Sequence, residues 1–466
     1  MAQKVVVRLV PKTRTSAPLL EFSFASIASS PREFVPDARR ASTALNWFAE
    51  RKNAEAKTTD LSRLEVEMTR SDFTKLFQRD LKPKKHTKRL MGRLVDAATF
   101  DAPDGSLKIP QELADVVEYA YLPRPIEFYG PSFRPPNESV EHVHLDDVCA
   151  ALNAARAHRE KRTGAGVKVA MVDSGFYPHP FFAANGYKLI ASAAPGASKP
   201  EEDKSGHGTG ECANIFTIAP DSTVYGVKSG PSAASSLEAA IALKPDVMSN
   251  SWGFDVDYLT RDELKNKDPN FFNELVDIET ILTGAIQSGI VVVFAAGNGH
   301  RAFPGSMPHV ITAGGVTLLS DGSLEASSYA SSFESKIYAG RSVPDVCGIV
   351  GAFGKTPMKQ HIMLPVPADS ELDGSNFASG AKKTGWGIFS GTSAACPQLA
   401  GAIALFREVR KGTTADQART ALVRTATDIA TGKTATEDKA GPGHDLATGA
   451  GLANVRSACE FIAAIG

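Results

Sequence analysis

The sequence contains no run of about 18 apolar residues, which excludes a transmembrane helix, and no membrane partner is expected. It also has no Cys-x-x-Cys pair. Its five cysteines (Cys149, Cys212, Cys347, Cys396 and Cys459) are odd in number and widely scattered. That pattern fits neither a disulfide framework nor a zinc site, and it predicts reduced thiols with no metal and no cofactor. An excess of either charge is lacking too: 51 Lys and Arg stand against 52 Asp and Glu in 466 residues. A protein devoted to nucleic acid needs a basic excess, so nucleic acid is not expected as a partner. Near the start, Val5-Val6-Val7 lies between Lys4 and Arg8, too short for the apolar core of about 7–15 residues that a signal peptide needs. The expectation is a cytoplasmic protein, with export by a route without a cleaved leader left open. No internal repeat or low-complexity tract is present. What remains is an ordinary globular composition, 42% hydrophobic, long enough for roughly two to four domains.

The charge balance conceals an asymmetry. Residues 1–125 carry 22 Lys and Arg against 16 Asp and Glu, which leaves 29 against 36 for the rest. This first part opens on a strand-like stretch (Lys4 to Val10) and continues through helix-prone stretches around 41–57 and 71–80. Its basic run, Lys82 to Arg89, reads as a solvated surface. A second strand-like stretch, Val116 to Tyr121, closes it. Five prolines between Pro123 and Pro136 follow and predict an extended linker over 126–141, since proline fixes φ and cannot donate to a sheet. From 142 the texture changes. A helix is expected over Leu145–His158, then a continuous apolar strand, Val167 to Val172. Similar strands recur at Thr223–Lys228, Asp246–Asn250, Ile290–Ala296 and His309–Ala313, with helical stretches such as Glu274–Gln287 between them. This alternation predicts an α/β fold with a doubly wound parallel sheet over 142–466, preceded by a smaller α+β domain over 1–125.

In such sheets active groups gather at the carboxyl ends of the strands. Three segments stand out there. Asp173 ends the first buried strand. His207 lies among small residues in Ser-Gly-His-Gly-Thr-Gly, ahead of a helix expected at Glu211–Ile218. Ser393 opens another helix within Gly391-Thr-Ser-Ala-Ala-Cys-Pro397. Each alone is weak, because an Asp after a strand and a Gly-flanked His are common in plain turns. Together they supply a hydroxyl, an imidazole to take its proton and a carboxylate to hold the imidazole. The order Asp, His, Ser is one of three known for that constellation. A serine at a helix N-terminus also has free N–H groups around it for a developing oxyanion.

These motifs resemble the three signatures of the subtilisin-like serine peptidases, the subtilases. Two further stretches fit in order: Ala295-Ala296-Gly297-Asn298-Gly299 resembles the family's oxyanion-hole motif, and Ser249-Asn-Ser251-Trp252-Gly253 its substrate-binding strand. The resemblance covers about 142–466. It implies a serine endopeptidase acting on protein or peptide substrates through an acyl-enzyme. Ser393 would be the nucleophile, His207 the general base and then acid, and Asp173 the orienting carboxylate. Asn298 would donate to the oxyanion, although a turn residue after a strand is also commonly Asn. Ser251, Trp252 and Gly253 would pair with an extended substrate, with Ala296 and Gly297 beside them and Trp252 as a pocket wall. A catalytically silent, peptide-binding scaffold of the same fold is the alternative, and the presence of all four residues speaks against it.

Several departures from the family pattern carry expectations of their own. Gly210 and Glu211 follow His-Gly-Thr where a larger residue, often His, is usual. The loop that often holds calcium is missing after His207, so no calcium is expected there. The stretch from Asn298 to Phe303 is brief and contains His300 and Arg301, read as a solvated loop. Insertions at Phe254 to about Asn273 and at about Lys355 to Gly385 are placed to rim the cleft. Cys212 and Cys396 read as small buried hydrophobes. Finally, Lys4–Pro11 and Asp115–Tyr121 are similar to the first and last strands of a subtilase prosegment. That resemblance would make the basic N-terminal domain an intramolecular inhibitor facing an acidic catalytic part.

Overall fold

The computed structural model describes residues 4–14, 19–21, 23–81, 83–90, 93–100, 107–124, 127–128, 142–351, 360–373 and 383–465; for 83–90, 93–100 and 127–128 it describes the backbone alone. The side chains of the basic run and most of the linker lie outside those residues, as does much of the Lys355–Gly385 insertion.

The larger part is built on a sheet whose strands lie in the order 188–193, 223–228, 168–173, 247–250, 291–295 and 311–318, all parallel. Strand 346–349 adds in parallel and 324–326 antiparallel at the far edge. The chain reverses its winding at strand 168–173, which has 223–228 on one side and 247–250 on the other. The reason this strand reads as a continuous apolar run is visible in its alternation. Val169 and Met171 enter one core with helices 207–218 and 392–409, while Ala170 and Val172 enter a second with helices 233–242 and 269–287. Both faces are covered, so from Val169 on every position is apolar until the strand ends at Asp173.

The first part forms its own antiparallel sheet, in the order 54–58, 64–69, 4–11 and 117–121. Helices 38–49 and 70–77 close over it, with Phe48, Phe73 and Phe77 fully buried. Its other apolar residues, among them Val10, Tyr119 and Tyr121, join the second core, so it packs on the outer side of helices 233–242 and 269–287.

Local differences from expectation have local causes. The helix expected over Leu145–His158 is two, 145–151 and 154–159, broken where Asn153 takes φ +59 and bonds its side chain to Asn454. The stretch around 41–57 is a helix that stops at Ala49, followed by strand 54–58. The helix expected from Glu211 begins at His207, and the one expected from Glu274 begins at Pro269, a residue suited to a first turn. The strand expected at His309–Ala313 runs Ile311–Leu318.

Candidate active site

Asp173 is fully buried at the carboxyl end of its strand, next to the point where the winding reverses. Its Oδ1 accepts from the Ser174 N–H at 2.7 Å and lies 2.7 Å from His207 Nδ1. The helix bearing His207 reaches this carboxylate because the next residue has no side chain. A Cβ on Gly208 would lie 2.3 Å from the Gly175 carbonyl oxygen and 3.0 Å from Asp173 Cβ. Asp203 secures the start of that helix, accepting from the Gly206 N–H, the Thr209 N–H and hydroxyl, and the Ser174 hydroxyl. Sequence reading missed Asp203; its signal was a carboxylate three residues before a helix-opening Gly.

Ser393 is the second residue of helix 392–409, which runs parallel to the His207 helix. Gln398 reaches Asn214, and farther along Gly401 packs against Ile215 and Ile218, so both N-termini lie at the same end. Asp173, His207 and Ser393 thus lie at the same end of the sheet and helices, all with 2% exposure or less. Ser251 fastens the Ser393 turn, donating its hydroxyl to the Ser393 carbonyl at 2.9 Å. Asn298 is oriented with equal care. Its Oδ1 accepts from the Thr392 N–H at 2.8 Å and hydroxyl at 3.1 Å, which leaves Nδ2 against the Cα of Gly391. Gly391 has φ +116, and a Cβ there would lie 2.5 Å from that amide nitrogen. Gly297 exchanges backbone bonds with the Thr392 hydroxyl, tying the Ala296-Gly297-Asn298 turn to the serine helix.

The electrostatics are those of a buried acidic pocket around one imidazole. Burial disfavours the charged ring, but the Asp173 carboxylate, with Glu211 and Asp203 behind it, outweighs this and lifts His207 to about 9. Glu211, one helical turn beyond His207, is 1% exposed, and burial pushes its carboxyl up to about 8. Cys212 and Cys396 are buried with thiols held well above their usual range by desolvation, as small hydrophobes are. Among the described residues no group of three or more His, Cys, Asp and Glu is placed to hold a metal ion.

Trp252 and Gly253, expected to pair with a substrate, lie in strand 252–255. The Trp252 ring is fully buried, edge-on to Phe254 and Phe294, so it belongs to the core and the strand offers its backbone instead of a Trp wall. That backbone is taken: Trp252 pairs antiparallel with Phe128 and Gly253 with Glu127. Residues expected as plain linker therefore add a strand to the cleft. The Phe254–Asn273 insertion folds onto the body through Phe254, Leu264 and Phe271. Arg301 is not simply solvated, since its guanidinium lies over Tyr258, 5.3 Å from the ring centre. On the side of Gly206 a cleft of about 730 Å³ opens between Tyr177, Glu202, Lys204 and Glu371.

A buried ionic cluster holds the first part against the second. Asp277 accepts from Arg8 Nε at 2.8 Å, from Tyr121 Oη at 2.6 Å and from Arg63 Nε. Arg8 also meets Glu238 Oε2 at 2.7 Å, and Arg63 meets Thr280 at 2.8 Å. Nearby, the Arg124 N–H bonds Glu274 and the Leu122 N–H bonds Asn270. The two arginines hold Asp277 below the ordinary carboxylate range despite its burial. Both arginines come from the basic part, while Asp277 and Glu238 come from the acidic part; Glu65 of the basic part also lies 3.5 Å from Arg8.

Comparison with known proteins gives the family. A family model described as the subtilase family, Peptidase_S8, matches residues 164–451. Subtilisin E of Bacillus subtilis (strain 168) is 26% identical over 345 residues, spanning 69% of this chain and 74% of its own length. The subtilisin of Bacillus pumilus is 27% identical over 328 residues, spanning 66% of this chain and 96% of its own. Subtilisin Savinase of Lederbergia lenta is 26% identical over 291 residues, spanning 60% and 90%. The chain belongs to the subtilase family and is a subtilisin-like serine endopeptidase.

Proposed function

We propose that peptide bonds are cut here through Ser393, His207 and Asp173, and that the N-terminal part restrains this site from within the same molecule. The observation that carries the first half is the 2.7 Å contact between buried Asp173 Oδ1 and His207 Nδ1, at the end of the helix pair where Ser393 stands. With Nδ1–H held by the carboxylate, Nε2 is the base. The Ser393 hydroxyl gives its proton to Nε2 as its oxygen bonds the substrate carbonyl carbon. The resulting oxyanion takes hydrogen bonds from Asn298 Nδ2 and the Ser393 N–H. Collapse of the tetrahedral centre breaks the peptide C–N bond, and the imidazolium passes its proton to the leaving amine. Water then repeats the sequence on the acyl-enzyme, releasing the second product and restoring Ser393.

Support for the restraint comes from two places. The backbone of 127–128 lies where an extended substrate would add to Trp252–Gly253, and the Arg8–Arg63–Asp277 cluster binds the same N-terminal part to the body. Cleavage of a peptide library by the purified chain tests the reading. Products must appear with the wild type and vanish with Ser393→Ala; equal cleavage by that variant would overturn it.

A further inference from the structure

The mechanism above makes no use of Glu211, although this carboxyl is buried next to its base. Glu211 Oε1 lies 3.9 Å from His207 Nε2, while Asp173 Oδ1 is 2.7 Å from Nδ1, so the imidazole has a carboxyl at each ring edge. A separation of 3.9 Å is too long for a hydrogen bond and leaves Nε2 to the serine, yet it is short for a charge interaction in a dry site. The position of Glu211 is fixed from behind. Its Oε2 accepts from Asn214 Nδ2 at 2.9 Å, and Asn214 Oδ1 accepts from Gln398 Nε2 at 3.2 Å. Gln398 in turn clamps the Ile349 N–H at 2.7 Å and carbonyl at 2.9 Å. A rigid polar chain thus runs from a sheet strand through the Ser393 helix to the His207 helix. The titratable groups facing this pair are Asp173 from the strand, Asp203 from the preceding loop, Cys212 on the same helix and Cys396 on the Ser393 helix. None of them is a cation, so the only positive charge available to Glu211 in this group is the imidazolium itself.

We propose that Glu211 is a positioning residue of the peptidase site, stabilising the imidazolium that His207 becomes whenever Ser393 gives up its proton. The inference rests on the roles given above to His207 and Ser393. It places the working range of the enzyme on the alkaline side, because the same carboxyl that supports the imidazolium in turnover also holds a proton on the resting ring.

The test is a histidine ring titration by NMR on the full chain, wild type against Glu211→Gln, which keeps the shape and the acceptor for Asn214. The His207 titration is expected to fall by about one pH unit in the variant, within the span of about 1–3 units typical of an opposite charge at this distance. The rise with pH of fluorophosphonate labelling should move down with it. A variant that labels more slowly at every pH with no shift in either curve would mark Glu211 as merely structural and overturn the proposal. Should the variant fail to fold, the wild type alone decides: the His207 signal must carry a second inflection from Glu211, and a single-proton curve contradicts the proposal. Labelling that persists in Ser393→Ala would instead strike the underlying peptidase assignment, so the two failures are distinguishable.

Discussion

Replacing Asp277 with Asn should release the N-terminal part from the cleft. Asp277 is the hub of the buried cluster, accepting from Arg8, Arg63 and Tyr121 with no exposure of its own. Without its charge, the two fully buried guanidinium groups keep Glu238, at 2.7 Å from Arg8 and 3.9 Å from Arg63, and Glu65, at 3.5 Å from Arg8. Breaking a buried pair by removing one partner costs about 3–5 kcal/mol, because the remaining charge stays uncompensated. At 1.4 kcal/mol per factor of ten, the docked-to-undocked ratio falls by roughly 10² to several times 10³. On the proposed restraint, the strand at 127–128 leaves Trp252–Gly253 only in the undocked form. The rate at which a fluorophosphonate labels Ser393 in the full chain should therefore rise by that factor until undocking is no longer limiting. Replacing Arg8, Arg63, Glu238 and Asp277 together by apolar residues of similar volume should restore slow labelling, since the cost lies in the unpaired charge. An unchanged labelling rate in Asp277→Asn, with the protein folded, would refute both the clasp and the restraint.

Other outcomes follow from the same geometry. Asn298→Ala should lower kcat by about 10²–10³ with KM little changed, a magnitude that belongs to a subtilisin and is carried over to this chain; a fall in KM-dependent binding alone would contradict the donor role. Gly208→Ala has nowhere to put its methyl, because the Gly175 carbonyl and Asp173 are backbone-held, so kcat/KM should drop about 10²-fold through the displaced imidazole. Stability should fall in acid through His361. This side chain is fully buried, and desolvation lowers it to about 4, so the unfolded chain binds a proton below pH 6.5 that the native chain refuses. Its contribution is intact above 6.5 and about 3 kcal/mol is lost as the pH falls to 4; urea unfolding across that range should show a shallower loss in His361→Asn.

What could be read from the sequence, and what could not, divides along physical lines. Asp173, His207, Ser393 and Asn298 were legible because each interrupts an apolar run or opens a helix among glycines, where close approach forbids side chains. The parallel strands were legible because both of their faces are buried. The clasp was not: Arg8 stands among valines of strand 4–11 and Arg63 just before strand 64–69, where both look like ordinary charges, and only the tertiary fold brings Asp277 and Glu238 over them. Glu211 stood out as an oddity after His-Gly-Thr, but its nearness to Nε2 depends on helical phase that begins at His207, four residues earlier than expected. Glu127–Phe128 looked like linker because proline-rich sequence gives no sign of a partner strand offered by another part of the chain.

The measurement that bears most directly on the central claim is the site of a fluorophosphonate adduct in the wild-type chain, located by mass spectrometry of its peptides. The adduct should sit on Ser393 alone, and its formation should fail in His207→Ala. An adduct on any other residue, or an equal one formed without His207, would contradict the assignment of this site.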